Sequence, residues 1–359
     1  MAERVVVAMS GGVDSSVAAY LLKQQGYEVI GLFMRTGAHD PDGAIPSRKR
    51  GCCSALDAGD ARRGADRLGI PFYALDFESA FEQVIDYFAD EYLLGRTPNP
   101  CVVCNNWLKF GKLWSYGRQL QADFVATGHY ARILRPASAP ELHRAIDPAK
   151  DQSYVLFGLD PKILSRVLLP VGAYQKQQIR ALARQAGLNV ADKPDSVEIC
   201  FVPGGHHGAL IRARRPSAAT AGRIVDTAGT VLAEHRGFEN FTVGQRKGLG
   251  FAAGRRRYVL RIVAEQNEVV VGDREELLAG GLIATRVNWL TDPPPESPVS
   301  CAAKIRYRHE GASATVTVLP SGGAQVEFHE PQSAVTPGQA VVFYDGSRVL
   351  GGGWIEQTL

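Results

Sequence analysis

Val5-Val6-Val7-Ala8-Met9-Ser10-Gly11-Gly12-Val13-Asp14-Ser15-Ser16-Val17-Ala18-Ala19-Tyr20-Leu21-Leu22 is the stretch that decides the fold. Val5 to Met9 is a short, continuous apolar run with β-branched residues, the pattern of a strand buried on both faces. Ser10-Gly11-Gly12 breaks it. Asp14-Ser15-Ser16 then offers capping side chains to a helix running through Val17, Ala18, Tyr20 and Leu21-Leu22. Strand, glycine turn and hydroxyl-rich helix start make a phosphate cradle. Two glycines let backbone N–H groups approach an anion, and the helix N-terminus adds donors and the positive end of its dipole.

The loop carries no lysine, which excludes the G-x-x-x-x-G-K-[ST] nucleotide loop, and it has no G-x-G-x-x-G dinucleotide fingerprint. Ser10 through Ser16 resembles instead the pyrophosphatase loop (PP-loop) of the N-type ATP pyrophosphatases. That resemblance implies cleavage of ATP between its α and β phosphates and transfer of AMP to a substrate oxygen. The plainer alternative is an ordinary glycine turn between a strand and a helix.

Outward from this stretch, residues 28–34, 70–77 and 123–129 read as further strands, the last ending in a small-residue turn. Helical patterns at 55–68, 81–94 and 106–120 alternate with them, and the polar segment 35–50, rich in Gly and Pro, reads as a loop beside the nucleotide. The alternation predicts a parallel sheet with ligands at the carboxyl ends of its strands. Residues 163–186 read as helical and 192–203 as a loop. Beyond Gly205 the character changes to short β-rich runs at 222–226, 257–263, 314–318, 325–328 and 340–344, with no convincing helix in the tail. A sandwich or small barrel follows.

At 359 residues the chain exceeds one ordinary core, so two or three domains are expected. Its 45% hydrophobic and 21% charged content is that of a soluble globular protein. No run approaches a membrane span, and the chain enters a strand at once, so the expectation is a cytoplasmic protein with no membrane partner and with reduced cysteines. The formal charge of +3 is unevenly placed: between residues 206 and 260 ten Lys/Arg stand against three Asp/Glu. Such an excess points to a polyanion, most simply nucleic acid, or to a solvated basic face.

The six cysteines are Cys52, Cys53, Cys101, Cys104, Cys200 and Cys301. Pro98-Asn99-Pro100-Cys101-Val102-Val103-Cys104 holds a C-x-x-C, a spacing that serves one metal ion, a redox disulfide or an activated thiolate. Zinc would want four ligands. Cys200 ends the same α/β region, and simple core packing is the alternative for each of these thiols. Cys52-Cys53 read as structural, since adjacent cysteines do not easily ligate one metal together, and Cys301 reads as buried.

The ordered set Ser10–Ser16, Gly51-Cys52-Cys53-Ser54, Gly95 to Pro100 with Cys104, Thr127-Gly128-His129-Tyr130-Ala131, Lys150-Asp151-Gln152-Ser153-Tyr154, Cys200, Gly244 to Gly250 and Arg306-Tyr307-Arg308 resembles the tRNA-specific 2-thiouridylases over nearly the whole chain. The resemblance implies an ATP-dependent tRNA sulfurtransferase that replaces O2 of the wobble uridine with sulfur, releasing AMP and pyrophosphate. It implies three domains: a PP-loop catalytic domain with a Rossmann-like parallel sheet (1–205), a small β-rich central domain (206–282) and a C-terminal antiparallel β-barrel (283–359). Around ATP it implies Ala8, Met9, Ser10, Gly11, Gly12, Val13, Asp14, Ser15, Met34 and Gly128, with Asp14 near Mg²⁺. Cys200 matches the persulfide carrier and Cys104 the nucleophile or resolving thiol, a pair that would form a disulfide bond in turnover. Asn99, Pro100 and Cys101 match the segment at the target base. His129, Lys150, Asp151, Gln152, Arg306, Tyr307 and Gln339 match contacts to tRNA. An Arg followed by a Tyr offers phosphate pairing plus a stacking plane, and Arg255-Arg256-Arg257 would add phosphate contacts without sequence choice. The implied partners are the tRNA anticodon stem-loop and a sulfur donor protein, with a monomer gripping one tRNA the simplest assembly.

One position departs from the pattern. Many members carry Asp where this chain has Cys101. Cys101, Cys104 and Cys200 then offer three thiolates, the arrangement some PP-loop sulfurtransferases use to hold a [4Fe–4S] cluster. The other readings are the plain persulfide route, with Cys101 an inert substitution or a disulfide partner. For the chain as a whole, the alternatives are another PP-loop adenylating enzyme (a different tRNA sulfurtransferase or an amidotransferase-type synthetase) and a non-catalytic tRNA-binding protein. The synthetases use a nitrogen nucleophile and need no thiols.

Overall fold

The computed structural model describes residues 2–37, 55–195, 199–202, 207–251 and 255–359. Cys52 and Cys53, most of the expected loop 35–50, residues 196–198 and the expected domain boundary at 205/206 lie outside the described residues.

Val5, Val6 and Val7 are fully buried in β1 (Arg4–Ala8), the middle of a five-stranded parallel sheet. β2 (Glu28–Arg35) and β4 (Phe124–Thr127) flank it, β3 (Phe72–Asp76) lies outside β2, and β7 (Val167–Leu168) lies outside β4. Successive side chains of a strand point to opposite faces. Val5 and Val7 accordingly join the core under α1 (Val13–Gln24), α2 (Ala55–Leu68) and α6 (Lys176–Gln185). Val6 joins the core on the other face, with Phe81 and Val84 of α3 (Glu78–Leu93) and Leu113 of α5 (Leu113–Gln119).

Two expected helices differ. The pattern at 106–120 is a short α4 (Pro100–Val103), a π-helix at Cys104–Lys112 and then α5. The stretch 163–186 is interrupted: two 3₁₀ turns, Pro161–Arg166 and Pro170–Ala173, bracket β7, and only α6 is a regular helix. Pro170 cannot donate to a preceding turn. Sequence reading also missed the hairpin of β5 (Ala131–Leu134) and β6 (Glu141–Arg144) and the helix α7 (His207–Arg214). The last Arg of α7 and the next residue, Arg215, pair with Asp86 of α3.

The central β-rich region orders β10 (Tyr258–Val263), β11 (Glu268–Gly272), β8 (Gly222–Val225) and β9 (Val231–His235) in one sheet over its own core of Ile224, Phe238, Val259 and Val269. β12 (Leu278–Trp289), β13 (Val299–Lys304), β14 (Ala312–Val318), β15 (Ala324–Ser333), β16 (Ala340–Asp345) and β17 (Arg348–Thr358) follow. Their order is 12-15-14-13-16-17, and β12 pairs with β17 to close a six-stranded antiparallel barrel. β12 begins at Leu278 and so runs across the 282/283 boundary expected from the sequence.

The barrel is not a separate bead. β6 pairs with β17 through His143 and Arg348, and the Arg144 N–H donates to the Ser347 carbonyl at 2.8 Å. Val342, Tyr344 and Trp354 of the barrel share one core cluster with Phe81 and Val125 of the parallel-sheet region. Among the described residues, no helix is long and apolar enough to cross a membrane.

Leu282 is fully buried in the barrel core. Leu282→Ala is expected to cost about 2–5 kcal/mol. The barrel tryptophans Trp289 and Trp354 would report this as an earlier fluorescence transition in urea; an unshifted transition would contradict the closed-barrel packing.

Candidate functional site

The glycine turn is built by close backbone packing. Gly11 has φ +73°, and a Cβ there would collide with the Asp57 carbonyl of α2. A Cβ on Gly128, just past β4, would lie 2.6 Å from the backbone nitrogen of Ser15. The end of β4 therefore presses on the first turn of α1. The cap of α1 is Gly12, not the expected Asp14-Ser15-Ser16. Ser15 and Ser16 sit inside the helix, and their hydroxyls donate back to the Gly12 carbonyl at 3.2 and 3.0 Å. The Ser10 N–H donates to Ser15 Oγ at 3.1 Å, and the two hydroxyls lie 3.2 Å apart. A glycine cap has no side chain to cover the helix N-terminus, which opens at the carboxyl edge of the sheet, where anions are favoured. Met9 and Val13 turn into the core, leaving only their backbone to a ligand. Ala8 and Met34, at the ends of β1 and β2, are half-buried.

The cations missing from the loop arrive from far along the chain. Lys193 Nζ donates to the Gly11 carbonyl at 2.8 Å and to Asp57 and Asp60 at 2.7 Å each. Burial lowers its pKa, but the two carboxylates outweigh that and raise it. Lys176 Nζ donates to both oxygens of Asp14 at 2.8 Å and pairs with Asp195 at 2.8 Å. The Tyr130 hydroxyl donates to Asp14 at 2.7 Å, and burial with this carboxylate raises its pKa. Asp195 also receives Lys150 at 2.7 Å and Arg180 at 3.1 Å. Burial alone would raise its carboxyl, yet hydrogen bonds from Lys150 and Lys176 hold it below the usual range. Sequence reading missed Lys176, Lys193, Asp195 and Tyr130 as one set because no local spacing connects them.

Cys104 opens the π-helix, and both Cys104 and Cys200 are half-buried against the core cluster that Ala8 and Met34 also border. Cys301 is mostly buried in β13, and burial pushes its thiol up to about 12. Cys101 is exposed on α4, close enough to Tyr307 to influence its titration. Among the described residues no group of three His, Cys, Asp or Glu is placed to hold a metal ion. The structure thus does not show the three-thiolate set of Cys101, Cys104 and Cys200 assembled as a [4Fe–4S] site.

The residues matched to RNA divide into two groups. Gln339 Nε2 donates to the Thr97 and Pro98 carbonyls at 3.1 and 3.0 Å, and the Thr97 N–H donates to the Pro337 carbonyl at 2.9 Å. A barrel turn thus clasps the segment entering Asn99 and Pro100, and Asn99 lies beside the Tyr154 hydroxyl. Asp151 is buried and accepts from the N–H groups of Ala145 and Ser153 and from the Ser153 hydroxyl. Gln152 zips to the Tyr130 backbone through its side chain at 2.9 Å and its N–H at 2.7 Å. His129 is buried, with Nδ1 2.7 Å from Thr127 Oγ1 and Nε2 3.5 Å from Lys109 Nζ. These four brace the site from inside. Cys101, Arg306 and Tyr307 are exposed, and half-buried Lys150 pairs with Asp195.

Three family models match the chain: one described as a tRNA methyl transferase HUP domain over residues 3–204, one as a tRNA methyl transferase PRC-barrel domain over 211–273, and one as an aminomethyltransferase beta-barrel domain over 279–355. Among curated proteins, the tRNA-specific 2-thiouridylase MnmA of Rhodopirellula baltica is 50% identical, covering 99% of this chain and 97% of its own length. The protein of the same name in Geobacter metallireducens is 51% identical over 99% of this chain and 98% of its own. That of Clostridium acetobutylicum is 46% identical over 99% and 100%.

Burial, then the nearby Lys109 charge, holds the His129 pKa well below its ordinary value. The unfolded chain takes up a proton near pH 6.5 that the folded chain refuses. Stability is therefore complete above about pH 6.5 and falls on acidification, by at most about 1.4 kcal/mol per pH unit, until the folded pKa is reached. His235 and His309 are held low as well and contribute equally with or without His129. His129→Gln is expected to lose less stability than the wild type between pH 7.5 and 5.5 in urea titrations; equal losses would contradict a buried neutral imidazole.

Proposed function

Because the chain belongs to the tRNA-specific 2-thiouridylase family, we propose that it converts the wobble uridine of a tRNA anticodon to 2-thiouridine, using ATP for activation and a cysteine persulfide for sulfur. The observation that carries this reading is the ionic link from the nucleotide loop to the approach to Cys200: Lys176 pairs with Asp14 and with Asp195, five residues before that thiol. The nucleotide loop and that thiol then serve one bound base.

A uracil carbonyl is a poor electrophile because oxide is its leaving group. O2 of the base attacks the α-phosphorus of ATP and pyrophosphate departs. The open N-terminus of α1 and the Ser10 hydroxyl receive phosphate oxygens, and Ser15, whose hydroxyl donates to the Gly12 carbonyl, shapes the loop. Asp14, fixed by Lys176 and Tyr130, is the carboxylate suited to hold Mg²⁺, which commonly takes one or two carboxylates together with substrate phosphates and neutralises their charge. A sulfur donor protein first loads Cys200 as Cys200–S–SH. Its terminal sulfur attacks C2, the C2–O bond breaks, and AMP leaves with the former base oxygen. The Cys104 thiolate then attacks Cys200 Sγ, forming a Cys104–Cys200 disulfide and releasing 2-thiouridine; a thiol reductant restores the pair. In the other order, Cys104 attacks the persulfide first and frees hydrosulfide, which attacks C2 with the same net balance.

Asn99, Pro100 and Cys101 are assigned to the target base, and Arg306 and Tyr307 to phosphate pairing and stacking. Asp151, Gln152, His129 and Gln339 are assigned to positioning, because their polar atoms already brace the segments around the site. The three matched segments support a catalytic, a central and a barrel domain. The working unit is one copy of the chain on one tRNA in the cytoplasm.

Mass spectrometry of nucleosides from unmodified tRNA, incubated with protein, Mg²⁺-ATP and a persulfide donor, tests this. Wild type is expected to yield 2-thiouridine, and Cys200→Ser and Cys104→Ser are each expected to abolish it while keeping tRNA-stimulated pyrophosphate release. Thiolation by Cys200→Ser would overturn the assignment of the carrier.

A further inference from the structure

Lys304, the last residue of β13, is only 6% exposed. Lys176 is comparably buried but grips two carboxylates, whereas the Lys304 side chain makes no hydrogen bond or ion pair among the described residues. Its Nζ lies instead 5.8 Å from the ring centroids of both Tyr154 and Tyr307. Aromatic faces attract a cation without neutralising it. Asp151 lends some attraction, but its oxygens already accept from Ala145 and Ser153, and the Arg144 guanidinium opposes it. Burial and Arg144 together leave the Lys304 pKa below the usual lysine range. A largely buried ammonium that no carboxylate touches is costly, and a fold retains one where something else supplies the anion.

Its position says what that anion is. Tyr154 stands beside Asn99, and Tyr307, packed edge-on against Tyr154 and within electrostatic reach of Cys101, has 44% of its surface open to solvent. Lys304 therefore lies behind the seam where the 99–101 segment meets the barrel, and Tyr307 is the solvent-facing wall of its cage. We propose that Lys304 binds a backbone phosphate of the RNA at the nucleotide presented to Cys101, while Tyr307 supplies the stacking plane for that base. This assignment rests on the tRNA reading above and adds to it an inward-facing cation that no sequence motif marked. A phosphate oxygen completes the coordination that the two rings leave open, through a charge-assisted hydrogen bond.

The test is binding of a fluorescently labelled anticodon stem-loop RNA, followed by anisotropy from 50 to 200 mM salt, with wild type, Lys304→Met and Lys304→Arg. Lys304→Met is expected to weaken binding of all anticodon sequences alike and to reduce the salt slope by about one, with Lys304→Arg keeping the slope. ATP binding, read separately, is expected to be unchanged in both. Acetylation of the wild-type protein with acetic anhydride, mapped by peptide mass spectrometry, needs no variant: the stem-loop is expected to protect Lys304. An unchanged affinity and slope in Lys304→Met, or equal acetylation of Lys304 with and without bound RNA, would overturn the proposal and leave the tRNA reading standing. A wild-type protein that binds no anticodon RNA would overturn both.

Discussion

The ammonium of Lys176 is the contact on which the site depends. It joins Asp14, in the first turn of α1, to Asp195, five residues before Cys200. Asp195 in turn receives Lys150 and Arg180, so one ionic network spans the nucleotide loop, α6, the approach to the thiol and the 150–152 segment. Mutually paired charges with little exposure hold their geometry well, whereas removing one partner strands the others, typically at about 3–5 kcal/mol when fully buried. The network is thus a device for registry more than for stability: it fixes where the Cys200 segment begins relative to the phosphate cradle.

A second constraint comes from the barrel. The β5–β6 hairpin leaves the parallel sheet and joins β17, and the Thr336–Gln339 turn reaches back to clasp Thr97 and Pro98. Arg96 adds a fork to Glu356 of β17 at 2.8 and 3.0 Å. The segment assigned to the base is therefore positioned from both sides, by α3 behind it and by the barrel in front. A helical element placed this way can present Cys101 and Cys104 in fixed relation to Tyr307, which a free loop could not do.

Much of this was legible in the sequence where the determinants are local. Val5 to Leu22 announced a buried strand, a glycine turn and a helix, and Gly11 and Gly128 sit where backbone meets backbone. The alternating strands and helices pointed to the parallel sheet, and the β-rich tail pointed to a sandwich or barrel, with the family resemblance choosing the barrel. Contacts between distant residues were not legible. Lys176, Lys193 and Asp195 carry no spacing signal toward residues 11–14, and β5–β6 is a pair of short strands whose partner is the far end of the chain. Apolar spacing at 106–120 suggested one helix but could not show that its first part winds as a π-helix, a form often found at functional sites. C-x-x-C spacing places residues along a helix without saying which of them face inward. Cys101 faces out, and Cys104 faces the core with Cys200.

The central claim is that the uracil oxygen itself becomes part of AMP before sulfur arrives. Anticodon RNA carrying ¹⁸O at O2 of the wobble uridine tests it directly, through mass spectrometry of the AMP formed during thiolation. The account predicts one ¹⁸O in each AMP produced with 2-thiouridine and none in pyrophosphate. AMP without label, formed alongside 2-thiouridine, would contradict it.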